Sequence, residues 1–288
     1  MSNVQAGSDT HMVLFCSNYI NTYKAFEPER LPWPELTDAE LERMRGVPFW
    51  QEILYTEMRA ITIIDAFSAT VENPLIRKAL DLMGKEEKRH EHLIRYLIAH
   101  YGITIADQSL EPLPADIETT FIDFGFGECV DSFIGFGFFK IARETEFLPE
   151  PLLDILDILM EEEVRHVLFI INWMAYREAR HGRRAAPLRA LTSLWYYGRA
   201  ISSLVNVALR NARNESNGVQ FSATQAGEIL GETRLRHVLE SCLAENARRL
   251  ATYDKKLLRP LFLPRVAGAL LAVLKLGSLF GTGKRELT

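Results

Sequence analysis

The sequence carries one short motif of ionisable residues twice. Residues 86–90 read Glu-Glu-Lys-Arg-His and residues 162–166 read Glu-Glu-Val-Arg-His. In both copies a glutamate stands three residues before a histidine, so a helix would present the two side chains on one face. The two pairs are Glu87 with His90 and Glu163 with His166. A carboxylate and an imidazole that point the same way can bind a divalent metal ion together.

Each pair interrupts an apolar stripe at helical spacing. The stripe around the first pair is Ile76, Leu80, Met83, Ile94 and Leu97, and that around the second is Leu152, Leu156, Leu159, Ile170 and Trp173. Such stripes face the core of a helical protein, so the polar pairs within them should be buried. A buried carboxylate without a partner is costly or takes up a proton. We therefore expect a compensating positive charge.

Two further acids stand at the spacing of hairpin partners. Glu57 precedes Glu87 by 30 residues, and Glu128 precedes Glu163 by 35 residues, with a predicted turn near each midpoint. In antiparallel hairpins these acids would lie at the level of the repeated motif. Asp131, one turn beyond Glu128, is an alternative inward-facing acid on the same helix.

Charge balance points to two metal ions. Four carboxylates and two neutral imidazoles at one level of a bundle carry four negative charges, which two divalent cations cancel. An oxygen-rich ligand set with one nitrogen for each metal suits iron or manganese better than a metal that prefers thiolates.

Helices must position these residues, and the hydrophobic period from Thr37 onward is helical. Thr37 with Glu40 has the spacing of a capping box, and Asn73 followed by Pro74 is typical of a helix start. Long helical runs cover about 48–72, 74–102, 116–147 and the stretch from a Leu-Pro-Glu-Pro break to about 180. We predict an all-α fold, a four-helix bundle in two hairpins with additional C-terminal helices.

The chain divides into three predicted parts. Residues 1–47 form an N-terminal arm with a short helix, 48–180 form the metal-binding bundle, and 181–288 form a helical extension packed on the bundle. The extension has helical runs at about 188–212, 223–254 and 264–280. Residues 1–36 carry too few signals for an assignment.

The ligand pattern resembles that of the ferritin-like di-iron carboxylate superfamily, over about residues 48–180. There, one glutamate from each of two helices and Glu-x-x-His from each of the other two bind the metals. The resemblance implies a ferritin-like bundle with six ligands, which are Glu57, Glu87, His90, Glu128, Glu163 and His166. It also implies that Glu87 and Glu163 bridge two iron ions, with manganese as the alternative metal.

Two functions are compatible with this resemblance. The first is an oxidase or oxygenase that uses dioxygen on a small apolar organic substrate and receives electrons from a donor protein. The second is a ferroxidase or iron-handling protein similar to ferritins and bacterioferritins, without an organic substrate. The long C-terminal extension disfavours a storage shell, which is normally built from compact four-helix subunits.

Other ionisable residues near the motifs have simpler interpretations. We expect solvent-facing side chains at Glu86, Lys88, Glu161, Glu162 and His92. Glu91 is a candidate for a hydrogen bond to a ligand histidine. Arg89 and Arg165 recur at one offset, where they are either solvated or paired with a carboxylate of a neighbouring helix. His237 is not expected to bind metal, because Arg234 occupies the position of the motif glutamate.

The third long helix is unusually rich in glycine and phenylalanine. Four glycines fall between Phe121 and Phe139. Gly125 and Gly135 lie near the predicted face of Glu128, where they either leave space for an apolar substrate or permit close helix packing. Cys129 is interpreted as a small buried apolar residue.

Composition excludes several classes of protein. The 288 residues are 48% apolar and 25% charged, which is typical of a globular protein. The net charge of −5 argues against a nucleic-acid partner. Three scattered cysteines suit a reducing compartment, and no leader or membrane-spanning run is visible, so we expect a cytoplasmic protein.

The basic, apolar tail over 255–288 has three interpretations. It packs on the bundle, pairs with a second subunit in a homodimer, or contacts a membrane surface.

Overall fold

The computed structural model describes residues 4–47, 49–106, 108–182, 193–202 and 235–281, and these residues contain helices and no strand. The α-helices are α1 (Asp9–Thr22), α2 (Asp38–Gly46), α3 (Trp50–Thr70), α4 (Pro74–His100), α5 (Ile117–Glu144), α6 (Glu150–Arg180), α7 (Leu235–Leu250) and α8 (Phe262–Gly281). A 3-10 turn covers Pro28–Arg30, and residues 193–202 are also helical. The all-α prediction is confirmed. Residues 188–192 and 203–234 of the predicted C-terminal runs, and Arg234 with them, lie outside the described residues.

Helix starts follow the capping signals of the sequence. The Thr37 hydroxyl accepts from the Glu40 N–H, and the Glu40 carboxylate accepts from the Thr37 N–H, so the predicted capping box is confirmed. Asn73 accepts from two backbone N–H groups at the start of α4, and Pro74 occupies the first helical position. Asp116 caps α5 by accepting from the Thr119 N–H. These contacts satisfy N–H groups that a helix start otherwise leaves unpaired.

Helices α3 to α6 form a bundle with one long crossover. The hairpin α3–α4 and the hairpin α5–α6 are connected by a segment that runs along α3. Ala106 donates to the Gln51 side chain near the start of α3, and Arg59 further along binds the Glu111 carbonyl. Near the end of α3, the Phe67 ring stacks on Phe121 of α5 at 4.1 Å. Helix α5 therefore runs antiparallel to α3.

Helix α1 packs on this bundle, although residues 1–36 carried too few sequence signals for an assignment. It packs against α6 and α4. Phe15 and Tyr19 are buried there, and both rings meet Phe169 edge-on at 5.4 Å. The His11 ring lies 2.8 Å from the Asn172 amide oxygen of α6. The N-terminal arm therefore contains two helices. The predicted short helix is α2, and α1, which was not predicted, covers one side of the bundle.

The two larger apolar clusters among the described residues lie on either side of the level of the motif, and a small third cluster consists of Phe136, Val164 and Leu168. Toward one end lie buried residues that include Ile64, Leu80, Met83, Phe121 and Trp173. Toward the other end lie buried residues that include Trp50, Leu54, Leu93, Leu97 and Leu159. On α4 and α6 the repeated motif falls between the two clusters. The polar residues of the motif therefore form a layer with apolar packing above and below.

The described part of the C-terminal extension covers another side. Helix α7 packs against α5, and α8 packs against α7. At the α5–α7 contact, a Cβ on Gly137 would lie 2.2 Å from the Cys242 sulphur and 2.9 Å from the Cys242 backbone nitrogen. Glycine is therefore required for this close approach. None of the helices in the described ranges is long and apolar enough to cross a lipid bilayer.

Candidate metal centre

Six side chains from four helices converge in the polar layer of the bundle. All are buried, and they are the six that the sequence singled out: Glu57 on α3, Glu87 and His90 on α4, Glu128 on α5, and Glu163 and His166 on α6. One potential ligand atom from each of Glu57, Glu87, His90 and Glu163 lies within 4.8 Å of the others, and Glu128, Glu163 and His166 form a second such group. Glu163 belongs to both groups.

The two histidines face the central carboxylates in a nearly symmetric way. His90 Nδ1 lies 3.1 Å from Glu163 and 3.6 Å from Glu87. His166 Nδ1 lies 3.1 Å from Glu87 and 3.5 Å from Glu163. Each central carboxylate therefore faces both imidazoles. The spacing of three residues within each motif puts the histidine and its own glutamate on one face, and the antiparallel pairing of α4 and α6 supplies the other glutamate.

Glu57 and Glu128 flank this core from the other two helices. The Glu57 carboxylate lies 3.5 Å from His90 Nδ1, and Glu128 groups with His166. Asp131, the alternative acid on α5, is exposed and belongs to neither group of ligand atoms. One turn of helix separates the two acids, and only Glu128 lies on the inward face.

Four buried polar atoms in this cluster make no hydrogen bond in the described structure, although each imidazole Nδ1 lies at ion-pair distance from a carboxylate. They are Glu87 Oε1, His90 Nδ1, Glu163 Oε2 and His166 Nδ1. Buried polar groups normally have a partner, because leaving one unsatisfied costs about 1–3 kcal/mol. Two carboxylate oxygens and two imidazole nitrogens, on residues whose ligand atoms fall into two close groups, fit two divalent cations in donor type and number. The residues present therefore fit a dimetal site.

A second polar layer surrounds the histidines, and this corrects the sequence expectation for two acids. Glu86 and Glu162 are not solvent-facing; they are 0% and 2% exposed. His90 Nε2 lies 2.9 Å from Glu162, and His166 Nε2 lies 3.0 Å from Glu86. These bonds leave Nδ1 of each ring free to face the centre. Lys88 and His92 are exposed and Glu161 is partly exposed, as expected.

Two arginines complete this layer, and both pair with a carboxylate of the neighbouring helix. Arg89 of α4 donates to Glu162 at 2.6 Å, and Arg165 of α6 donates to Glu86. Of the two open interpretations, the paired one is therefore confirmed. Tyr19 of α1 also donates to Glu86. The sequence contained a signal for the burial of these acids and arginines. The repeat is Glu-Glu-x-Arg-His, so the first glutamate and the arginine recur together with the ligand pair.

Electrostatics in the metal-free protein divides the carboxylates into two kinds. Burial raises the pKa of Glu57 to about 8, and burial with the charges of Glu163 and Glu87 raises that of Glu128. Although burial opposes it, the charge of His166 lowers the pKa of Glu87 and of Glu163. Burial alone would lower the pKa of His90, but hydrogen bonds to carboxylates, with Glu162 first among them, raise it well above 6.5.

The pKa of His166 is raised in the same way as that of His90. Burial alone would lower its pKa, but the charges of Glu87 and Glu163 raise it well above 6.5. The raised pKa values of Glu57, Glu128 and both histidines therefore favour protons on these four groups, beside the lowered pKa values of Glu87 and Glu163. Four protons would supply the positive charge that two divalent ions would bring.

The glycines of α5 divide between close packing and open space. A Cβ on Gly125 would lie 2.4 Å from Ile170, so this glycine permits close packing and does not open a pocket. No described atom lies within 4 Å of a Cβ placed on Gly135. A cavity of about 10 Å³, the size of one water, lies among residues that include Cys129, Phe133, Val167 and Leu263. Cys129 is buried, as predicted.

The remaining candidates lie away from the centre. His237 is 46% exposed and pairs with Glu144 at 3.2 Å, and His92 pairs with Glu29. Glu91 pairs with Arg95 on the surface of α4. A scan against protein-family models, a search of curated proteins and a search of solved structures found no match to the chain.

Proposed function

We propose that the chain is a ferritin-like di-iron carboxylate protein that acts as an oxidase or oxygenase on an apolar organic substrate, with manganese as the alternative metal. The observation that carries the proposal is the convergence of four unpartnered buried atoms, two from carboxylates and two from imidazoles. Bound iron would supply the reduction of dioxygen, with electrons from a donor protein. The single long crossover between α4 and α5 is also typical of ferritin-like topology.

The buried residues of the centre would have three different roles in holding the metals. Glu87 and Glu163 each face both histidines, so they are the proposed bridging carboxylates. Glu57 and Glu128 would each hold one metal from the side. Glu162 and Glu86 accept from Nε2 of His90 and His166, which fixes each ring and makes its Nδ1 a stronger donor.

The surroundings favour chemistry on an apolar substrate. The apolar clusters on both sides of the polar layer keep water from the centre. A cavity the size of one water lies beside Cys129 and Val167, which follow the proposed ligands Glu128 and His166 in the chain, and its other walls are mainly apolar. This cavity would have to widen to admit an organic substrate from the side of α5.

The test is the metal content of purified protein loaded anaerobically with ferrous iron. We expect about two iron ions per chain. Glu87→Ala and Glu163→Ala each remove a bridging ligand, so both should lose most of the iron. Glu161→Ala is the matched control, since Glu161 precedes a ligand by two residues but is 45% exposed. Equal iron content in all four proteins would contradict the proposed site.

A second candidate function is ferroxidase chemistry without an organic substrate. It is favoured by Asp131 of α5, an acid at the protein surface one helical turn from Glu128. Desolvation of its carboxyl group, together with the charges of Glu163 and Glu52, raises the pKa of Asp131 to about 6, so this acid is electrostatically linked to the centre. In this second function Asp131 would attract cations toward the ligands.

Oxygen consumption separates the two functions. A ferroxidase consumes oxygen in proportion to added ferrous iron and accumulates ferric product beyond two ions per chain. An oxygenase retains its iron and consumes oxygen catalytically only with a reductant and a substrate. Asp131→Asn should slow the first reaction and leave the second unchanged.

A further inference from the structure

Helix α8 has apolar side chains on two sides. On the inner side, Leu263, Ala267 and Leu271 are buried. On the outer side, four apolar residues are between 41% and 64% exposed: Val266, Leu270, Val273 and Leu276. Their spacing of three and four residues places them along one side of the helix. Contiguous exposed apolar patches are rare on the free surfaces of soluble proteins, and where they occur they usually mark a binding surface.

The charge around α8 is strongly one-sided. Residues 255–288 contain seven of the 33 basic residues of the chain and one of its 38 acidic residues, Glu286. Lys255 and Lys256 are exposed just before the helix, and Arg265 is exposed in its first turn. The protein as a whole has a net charge of −5, so this segment is a basic region on an acidic protein. A partner of the segment should be apolar beside a negative surface.

The helical segment 193–202, which contacts the first turn of α8, also has exposed apolar side chains. Tyr197 of the helical segment 193–202 is buried and stacks on Phe262 at 4.5 Å. Leu194 and Trp195 of the same segment are 52% and 56% exposed. Tryptophan is enriched where an apolar phase meets water, because its ring is apolar and its N–H is polar.

We propose that α8 binds to the surface of an anionic lipid bilayer. The outer apolar side chains would enter the headgroup region, and the cations at the start of the helix would lie against acidic lipids. Helix α8 would lie along the membrane, since no described helix is long and apolar enough to span it. The inference does not depend on the metal centre.

Charge makes a second copy of the chain a poorer partner for this surface. In a symmetric dimer the same surface meets itself, so the basic segment would face a basic segment. Like charges at close range disfavour such a contact. An anionic bilayer can bury the apolar side chains of the stripe and at the same time pair the cations with acidic headgroups.

The test is flotation of the purified full-length protein with lipid vesicles. We expect binding to vesicles of phosphatidylcholine with phosphatidylglycerol, weaker binding to phosphatidylcholine alone, and loss of binding at high salt. Lys256→Gln should lower the partition coefficient about fivefold, from about 1 kcal/mol for each cation near an anionic surface. The double variant Leu270→Glu/Val273→Glu should abolish flotation.

Two further variants control for the effect of an introduced charge and for unfolding of the double variant. Val13→Glu makes the same kind of change at an exposed apolar residue of α1, where Val13 is 47% exposed, and should float like the wild type. If circular dichroism shows that the double variant is unfolded, Lys255→Gln/Lys256→Gln replaces it, because both lysines lie in the connection before α8.

Three outcomes would overturn the proposal. In the first outcome the wild-type protein does not float with the anionic vesicles, and in the second every folded variant floats as well as the wild type. In the third outcome, sedimentation velocity shows a dimer that the α8 variants dissociate, while vesicles bind none of them. The outer side of α8 would then be an interface between copies of the chain.

Discussion

Nε2 of His90 lies 2.9 Å from a carboxylate oxygen of Glu162, which belongs to the facing helix α6. The ring therefore has its Nε2 fixed by one helix while its Nδ1 faces carboxylates of three helices. Arg89 donates to the other oxygen of Glu162, which holds the carboxylate in place. The orientation of this candidate ligand thus depends on a residue that would not itself touch the metal.

Replacing Glu162 by glutamine should weaken metal binding without removing a ligand. Glutamine keeps the shape of the side chain but loses the negative charge that makes His90 a better donor. Partners of this kind typically contribute 10–100-fold in metal affinity, so we expect a loss of about that size. Competition with a chromophoric chelator measures it. Glu161→Gln, at the next position, should bind as the wild type does, and equal affinities for both variants would contradict the role of Glu162.

The sequence predicted the six buried candidate ligands because helical spacing alone decides which residues share a face. Glu87 and His90 fall in one stripe with Leu80 and Leu97, and all four are buried. The burial of Glu86 and Glu162 could not be obtained in this way. These acids lie outside the stripe, and they are buried because another element covers that side of α4 and α6.

That covering element is α1, which the sequence did not predict. Its buried side includes the polar His11 as well as Phe15 and Tyr19, so apolar spacing gives a weak signal. The buried His11 ring has two partners, the Gly7 N–H at Nδ1 and the Asn172 amide oxygen of α6 at Nε2. Contacts between residues 161 positions apart are a property of the tertiary structure and not of local pattern.

Removing the Tyr19 hydroxyl should destabilise the protein more than it affects metal binding. Tyr19 is buried and donates to Glu86, which also accepts from His166 and Arg165. Hydrogen bonds to charged groups contribute about 1.5–3 kcal/mol, and Tyr19→Phe should lower the free energy of unfolding by that amount.

Urea unfolding of metal-free Tyr19→Phe protein checks this value. Tyr23→Phe is the comparison, because Tyr23 accepts only a long bond of 3.3 Å from Arg89 and should change stability less. A Tyr19→Phe variant as stable as the wild type would show that Glu86 does not need the hydroxyl.

Removing the metal should lower the melting temperature more at pH 8 than at pH 6. Burial raises the pKa of Glu57 from 4.5 to about 8 in the metal-free protein. A raised pKa in the folded state contributes stability below the unfolded value, and this stability is lost as the pH rises through the folded value. The raised pKa values of Glu128, His90 and His166 act in the same direction. Metal-bound protein has no such protons to lose.

Thermal melts with and without chelator across this pH range provide the measurement. Metal-free Glu57→Gln protein should show a weaker decline, since glutamine does not ionise. A difference between metal-bound and metal-free protein that is constant with pH would contradict the proposed proton balance.

Two glycines on one helix should respond to alanine with opposite sign. A Cβ on Gly137 would lie 2.2 Å from the Cys242 sulphur and within 3.0 Å of its backbone, which cannot move without shifting α7. Overpacking of this kind typically costs about 1–3 kcal/mol, so Gly137→Ala should destabilise the protein by that amount. Gly135 has no described atom within 4 Å of the same position. Gly135→Ala should therefore stabilise the protein by up to about 1 kcal/mol, because alanine is the better helix former. Urea unfolding of both variants measures the difference, and destabilisation by Gly135→Ala would mean that this position is packed.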